Sequence, residues 1–149
     1  MQKRFLPVLF IPFFCIVILN GCKKNDIVTN TDLITTGKWK ISTATVVGVG
    51  DVTSQIPACY LDNLYTFFSD GTGDIDEAGN VCNPSTEGIF AWSFEANETK
   101  LSMTNNLIPG GTGDFDLNVL TETTLTVSQE TALIPAPSPL TIQVTFIHP

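Results

Sequence analysis

From Gly37 to the C-terminus apolar and polar residues alternate with a period of two, and no stretch shows the helical 3.6-residue recurrence. Trp39, Ile41, Thr43 and Thr45 alternate with Lys38, Lys40, Ser42 and Ala44, which predicts a first strand over 38–47. The Tyr- and Phe-rich segment 64–69 predicts a second strand, Asp70-Gly71 a tight turn, and 72–77 the returning partner. Residues 88–95 place Phe90, Trp92 and Phe94 on one face, and 100–104 follows the polar Asn97-Glu98 turn. Over 114–120, Phe115, Leu117 and Val119 alternate with Asp114, Asp116 and Asn118. Short strands at 125–128 and 140–146 complete the set. The intervening segments 49–57, 78–86, 105–112 and 131–139, rich in Gly, Pro, Asn and Ser, read as loops.

Eight short strands at this spacing predict an all-β fold. Closing them as an antiparallel up-and-down barrel removes both unpaired sheet edges, and mostly short connections suit that winding. A β-sandwich is the alternative, since it uses the same strands but needs longer crossovers between its sheets.

The first 22 residues follow a different pattern. Lys3 and Arg4 precede an apolar run from Phe5 to Leu19, broken only by Pro7 and Pro12. At 15 residues it falls short of the roughly 20 that span a bilayer, and it fits a secretory signal peptide. The ending Leu19-Asn20-Gly21-Cys22 resembles the lipobox of bacterial lipoproteins, with Asn20 departing from the usual small or apolar residue. That resemblance implies cleavage before Cys22 and lipidation of Cys22. An ordinary signal peptide with a chance cysteine, or a single anchor helix, are the alternatives. The expected organisation is a signal peptide at 1–21, a lipidated flexible tether at 22–36 and one domain at 37–149. The expected location is the bacterial cell envelope, with the membrane as partner through acyl chains worth about 0.8 kcal/mol per buried CH₂.

After cleavage five lysines remain against fifteen acidic residues, a formal charge of −10 with no arginine. Nucleic-acid binding needs a basic footprint and is excluded as a class. Cys15 leaves with the signal and Cys22 is taken by lipid, so Cys59 and Cys82 form an even pair in an oxidising setting, where a disulfide is the default. A two-residue turn at Asp70-Gly71 would set Phe67 opposite Asp74 and, extended, Cys59 opposite Cys82. A three-residue bulged turn would slip this register by one.

Little in the chain suggests chemistry. His148 is the only histidine, and no nucleophile elbow or phosphate-binding loop is present; Gly110-Gly111-Thr112-Gly113 lacks a Lys. Asp70, Asp74, Asp76 and Glu77 lack calcium-loop spacing; Asp70 fits the turn, and Asp74 and Asp76 fit a solvent-facing strand. No catalytic residue, metal or cofactor is expected.

Gly37-Lys38-Trp39 carries the Gly-x-Trp signature of lipocalins. With Pro57-Ala58-Cys59, Leu64-Tyr65-Thr66-Phe67, Asp70-Gly71-Thr72, Cys82-Asn83-Pro84 and Trp92-Ser93-Phe94, residues 34–147 resemble small lipocalin-like lipoproteins of Bacteroidetes-type bacteria. The resemblance implies an eight-stranded barrel, a structural Trp39 closing one end, and a small apolar ligand. Lipocalins often stack a late-strand Arg on this Trp. The mature chain has none, so Trp39 is expected to pack by apolar contact. Trp39, Tyr65, Phe67, Phe90, Trp92 and Phe94 either line a ligand site or fill the barrel interior, because eight strands enclose a space about wide enough for side chains to plug.

Overall fold

The computed structural model describes residues 27–108, 110–131 and 139–149. The segment expected as a signal peptide, Cys22, the start of the expected tether and most of the three-proline connection lie outside the described residues. The strands are β1 (Lys38–Val46), β2 (Gly50–Asp51), β3 (Leu64–Phe67), β4 (Thr72–Asp76), β5 (Gly88–Glu95), β6 (Lys100–Met103), β7 (Asp114–Leu120), β8 (Thr124–Thr131) and β9 (Leu140–Ile147). From β3 to β9 each strand pairs antiparallel with the next; β1 joins both β3 and β9 and closes an eight-stranded up-and-down barrel. The two-residue β2 only extends the tip of β1. Closure leaves no open barrel edge, the physical reason for preferring it to a sandwich.

Antiparallel winding sorts the connections into two groups. The entry to β1, the exit of β9 and the turns 68–71, 96–99 and 121–123 gather at one end. The β1–β2 tip and the connections 52–63, 77–87 and 104–113 gather at the other. The core between them is built by Trp39, Ile41, Ala44, Val46, Tyr65, Phe67, Ile75, Phe90, Leu101, Phe115, Val127, Val144 and Phe146, all buried.

Several expectations are corrected. In β1 the register with β9 shifts between Ile41 and Thr43. Ser42 is the extra residue of a bulge, so Ala44 and Val46 turn inward and Thr43 and Thr45 outward. A second shift between Leu117 and Val119 turns Val119 out to 44% exposure. The β3–β4 turn has three residues: Gly71 N–H donates to Phe68 O at 3.1 Å, Phe68 N–H to Thr72 O at 2.8 Å, and Gly71 adopts φ +84°. Phe67 therefore faces Gly73 rather than Asp74, the one-residue slip that a bulged turn imposes. Asp70 serves the turn as expected, its Oδ1 accepting from Thr72 N–H at 3.0 Å and Thr72 Oγ1 at 2.6 Å.

Part of the segment 22–36, expected as a tether, is helical. Asn30–Ile34 forms helix α1, started by a capping box in which Thr29 N–H donates to Asp32 Oδ2 and Asp32 N–H to Thr29 Oγ1. Five residues are too few to show a helical period in sequence. The same applies to α2 (Ala58–Leu61), which occupies the stretch expected to continue the β3 ladder.

Candidate functional site: the two ends of the barrel

At the end where the chain enters, α1 lies against the barrel. Asn30 Nδ2 donates to Glu98 Oε2 at 2.9 Å, and Ile34 is fully buried. The indole of Trp39, itself at 0% exposure, donates from Nε1 to Ile34 O at 2.7 Å. Its ring stacks on the His148 imidazole, centroids 4.1 Å apart. His148 Nδ1 lies 2.7 Å from Lys38 O and Nε2 3.0 Å from Glu122 O, so the ring ties β1, the β7–β8 turn and the end of β9 together. The expectation that Trp39 packs by apolar contact alone is thus corrected: the indole N–H is used, and a histidine stacks on the ring. A lone His one residue from the C-terminus gave no sequence signal for this.

Of the other five aromatic candidates, Phe67, Phe90, Trp92 and the partly buried Phe94 form one connected group, and Tyr65 packs apart from them in the core. Tyr65 packs edge-on to Phe146 at 5.6 Å, Phe67 on Phe90 at 5.3 Å and on Trp92 at 5.5 Å, and Trp92 on Phe94 at 5.5 Å. Trp92 Nε1 donates to Thr72 O at 2.8 Å and Phe68 O at 3.1 Å, which pins it beside the β3–β4 turn. Burial pushes the Tyr65 hydroxyl up to about 12, against a smaller opposing effect of the Asn63 side chain.

At the opposite end the interior changes character. Val46, Val52, Ile56, Leu107, Ile108 and Ile142 are buried there, all aliphatic and four of them from loops. Polar side chains join them, Gln129 and Thr131 of β8 included. Gln129 faces inward on β8 opposite Ile142 and is 6% exposed. Its Oε1 accepts from Thr112 N–H at 3.0 Å and Thr112 Oγ1 at 3.1 Å. Sequence reasoning missed Gln129 because it ended the strand at 128, whereas β8 runs on to Thr131 in register with β9. The alternation Leu125, Val127, Gln129 was the available signal.

The loop over 77–87 is held by a buried carboxylate. Glu77, 3% exposed, accepts from Thr86 N–H and Oγ1, Ser85 Oγ and Cys82 N–H. These bonds, Thr86 N–H foremost, hold its carboxyl below the usual glutamate value. Asp62 Oδ2 accepts from Gly79 N–H, Asn80 N–H and Asn80 Nδ2. The Cys59–Cys82 disulfide joins α2 to this loop, Cα atoms 5.2 Å apart. The bond is as expected, but its setting is not: the β3–β4 ladder stops at Leu64–Asp76, so the cysteines bridge a helix and a loop. Asp74 is half-buried and Asp76 exposed, Asp76 pairing with Lys38 at 3.3 Å. Among the described residues no three His, Cys, Asp or Glu side chains come together as metal ligands.

The arrangement can seal one end of a barrel firmly and enclose apolar atoms at the other. A sequence profile of the lipocalin-like domain family matches residues 35–127. No curated protein sequence matches the chain.

Proposed function

The chain belongs to the lipocalin-like domain family, and we propose that it is an exported, lipid-anchored member that binds a small apolar molecule in its barrel and performs no catalysis. The observation that carries this reading is the asymmetry of the closed barrel: α1, Trp39 and His148 stopper one end, while loops roof the other. Export and anchoring rest on the signal-like segment and Cys22, and the resemblance of the motifs to envelope lipoproteins of Bacteroidetes-type bacteria supports the same reading. The membrane is then its partner through lipid on Cys22.

Two measurements on one variant test the proposal. Cys22→Ala moves the protein from the detergent to the aqueous phase on partitioning; unchanged partitioning overturns the anchor. Native mass spectrometry of that water-soluble variant detects a copurified small molecule. No bound species, together with no thermal shift across a panel of lipophiles, overturns the ligand. A second reading, a structural or protein-interaction lipoprotein with a filled core, is favoured by the mutual packing of Phe67, Phe90, Trp92 and Phe94, and the same negative result selects it.

A further inference from the structure

We propose that Gln129 is the polar anchor of the bound molecule, and that the ligand class is an apolar compound carrying a neutral carbonyl oxygen, as in a ketone or ester. This rests on the apolar-ligand reading above and deepens it.

The orientation of the amide is fixed by its neighbour. Thr112 N–H can only donate, so the Gln129 atom facing it is the oxygen, and Nε2 lies on the Gly111 side. That nitrogen carries two N–H donors, is buried, and has no hydrogen-bond partner among the described residues. A buried donor without an acceptor is costly, and folded proteins seldom keep one without a use for it. Gly111 shows where Nε2 lies: a Cβ built there would sit 2.1 Å from Nε2 and 3.0 Å from Ile108 Cγ1. The donor, Gly111 and Ile108 thus share one corner of the loop-roofed end.

The chemistry of that corner selects the ligand. Val127, Ile142 and Ile108 around Gln129 are apolar and buried, which favours an apolar body. Lysines are few, and the lysine ion pairs among the described residues, Lys38–Asp76 and Lys100–Asp116, are on the exposed surface. A carboxylate buried here would have a single amide for compensation, whereas a neutral carbonyl needs no more than that. Ile108 holds the space beside Nε2, so a ligand engaging the amide displaces it.

The test compares 2-nonanone with 2-methylnon-1-ene, in which a CH₂ replaces the carbonyl oxygen, as ligands of the soluble Cys22→Ala protein. In that background Gln129→Glu keeps the acceptor for Thr112 and removes the donors, and Gln129→Met removes both without a charge. The ratio of ketone to alkene affinity falls about ten-fold in both variants, the effect of one buried hydrogen bond. Ile108→Ala tightens both probes several-fold by removing their competitor. In protein with Gln129 intact, saturating ketone, but not alkene, shifts the Gln129 side-chain amide resonances. An unchanged affinity ratio in the variants, or no amide shift with bound ketone, overturns the anchor while leaving the apolar-ligand reading standing. Failure of both probes to bind either the parent or the Ile108→Ala protein overturns the ligand reading and the anchor with it.

Discussion

The two ends of this barrel are closed by different means. At the entry end, α1 hangs on the Trp39 indole, and His148 covers the same ring while touching two further backbone segments. The Trp39–His148 pair thus gathers β1, β9, the β7–β8 turn and a helix, with Tyr65, Phe67, Phe90 and Trp92 among the interior residues. At the far end no one residue has that role. The 77–87 loop is held by Glu77 and a disulfide, the 104–113 connection by Thr112 on Gln129, and the packing residues are aliphatic. Aromatic stacking around one buried hub makes a cooperative seal, whereas separate loop fastenings let each loop open on its own. The first arrangement suits a floor and the second suits a mouth.

The largest effect is expected at the hub. Trp39→Ala removes a fully buried indole, its bond to Ile34 O and the surface that His148 stacks on. Truncations of this kind cost about 3–5 kcal/mol. Urea unfolding is expected to show the loss, and hydrogen exchange to show that α1 detaches with it. A native urea midpoint in this variant would mean that the entry end is no more integrated than the mouth.

Next comes the disulfide at the far end. Cys59 and Cys82 are 23 residues apart, and the chain-entropy estimate for closing such a loop is about 3 kcal/mol. Cys59→Ser with Cys82→Ser is expected to lower the urea midpoint accordingly. If the ends are fastened independently, amides of the 77–87 loop lose exchange protection well before those of α1. Equal loss at both ends would break the comparison.

The contrast between the ends was only partly legible in the sequence. The period-two pattern located eight of the nine strands because inward residues are large and apolar while outward ones are Lys, Asp, Ser and Thr. Bulges at Ser42 and Asn118 were not visible, since each lies inside an unbroken alternation of apolar and polar residues and the shift shows only against the partner strand. Each inverted the face of the residues after it, hence the misplacement of Thr43, Thr45 and Val119. The Gly71 turn displaced one register by a single residue, and α2 took the cysteines off the ladder altogether. The floor was foreshadowed by Gly37-Lys38-Trp39, but not its second half, His148, which is 109 residues away from Trp39. The mouth was least legible. Gln129 and Glu77 look like ordinary solvent-facing polar residues, and only the pairing of β8 with β9 and the fold of 77–87 bury them.

The smallest expected effect is a pH dependence confined to the mouth. Glu77 accepts four hydrogen bonds as a carboxylate, and its folded-state pKa lies below the unfolded one. A group with that sign of shift contributes stability above its unfolded pKa, near 4.3, and loses it as pH falls through the folded value. Glu77→Gln is therefore expected to be less stable than the parent at neutral pH, and the gap is expected to narrow below about pH 4. Acid also protonates Asp32 in the α1 capping box and Asp70 at the β3–β4 turn, both likewise shifted down by bonds from Thr29 and Thr72. Overall acid sensitivity consequently mixes both ends, and the difference between parent and variant isolates the mouth. Urea midpoints from pH 3 to 8 give that difference, and exchange at the Cys82 and Thr86 amides gives its location. A gap that stays constant across this range would mean that Glu77 organises the loop by shape rather than by charge, because the Gln amide keeps one acceptor oxygen but cannot serve four donors.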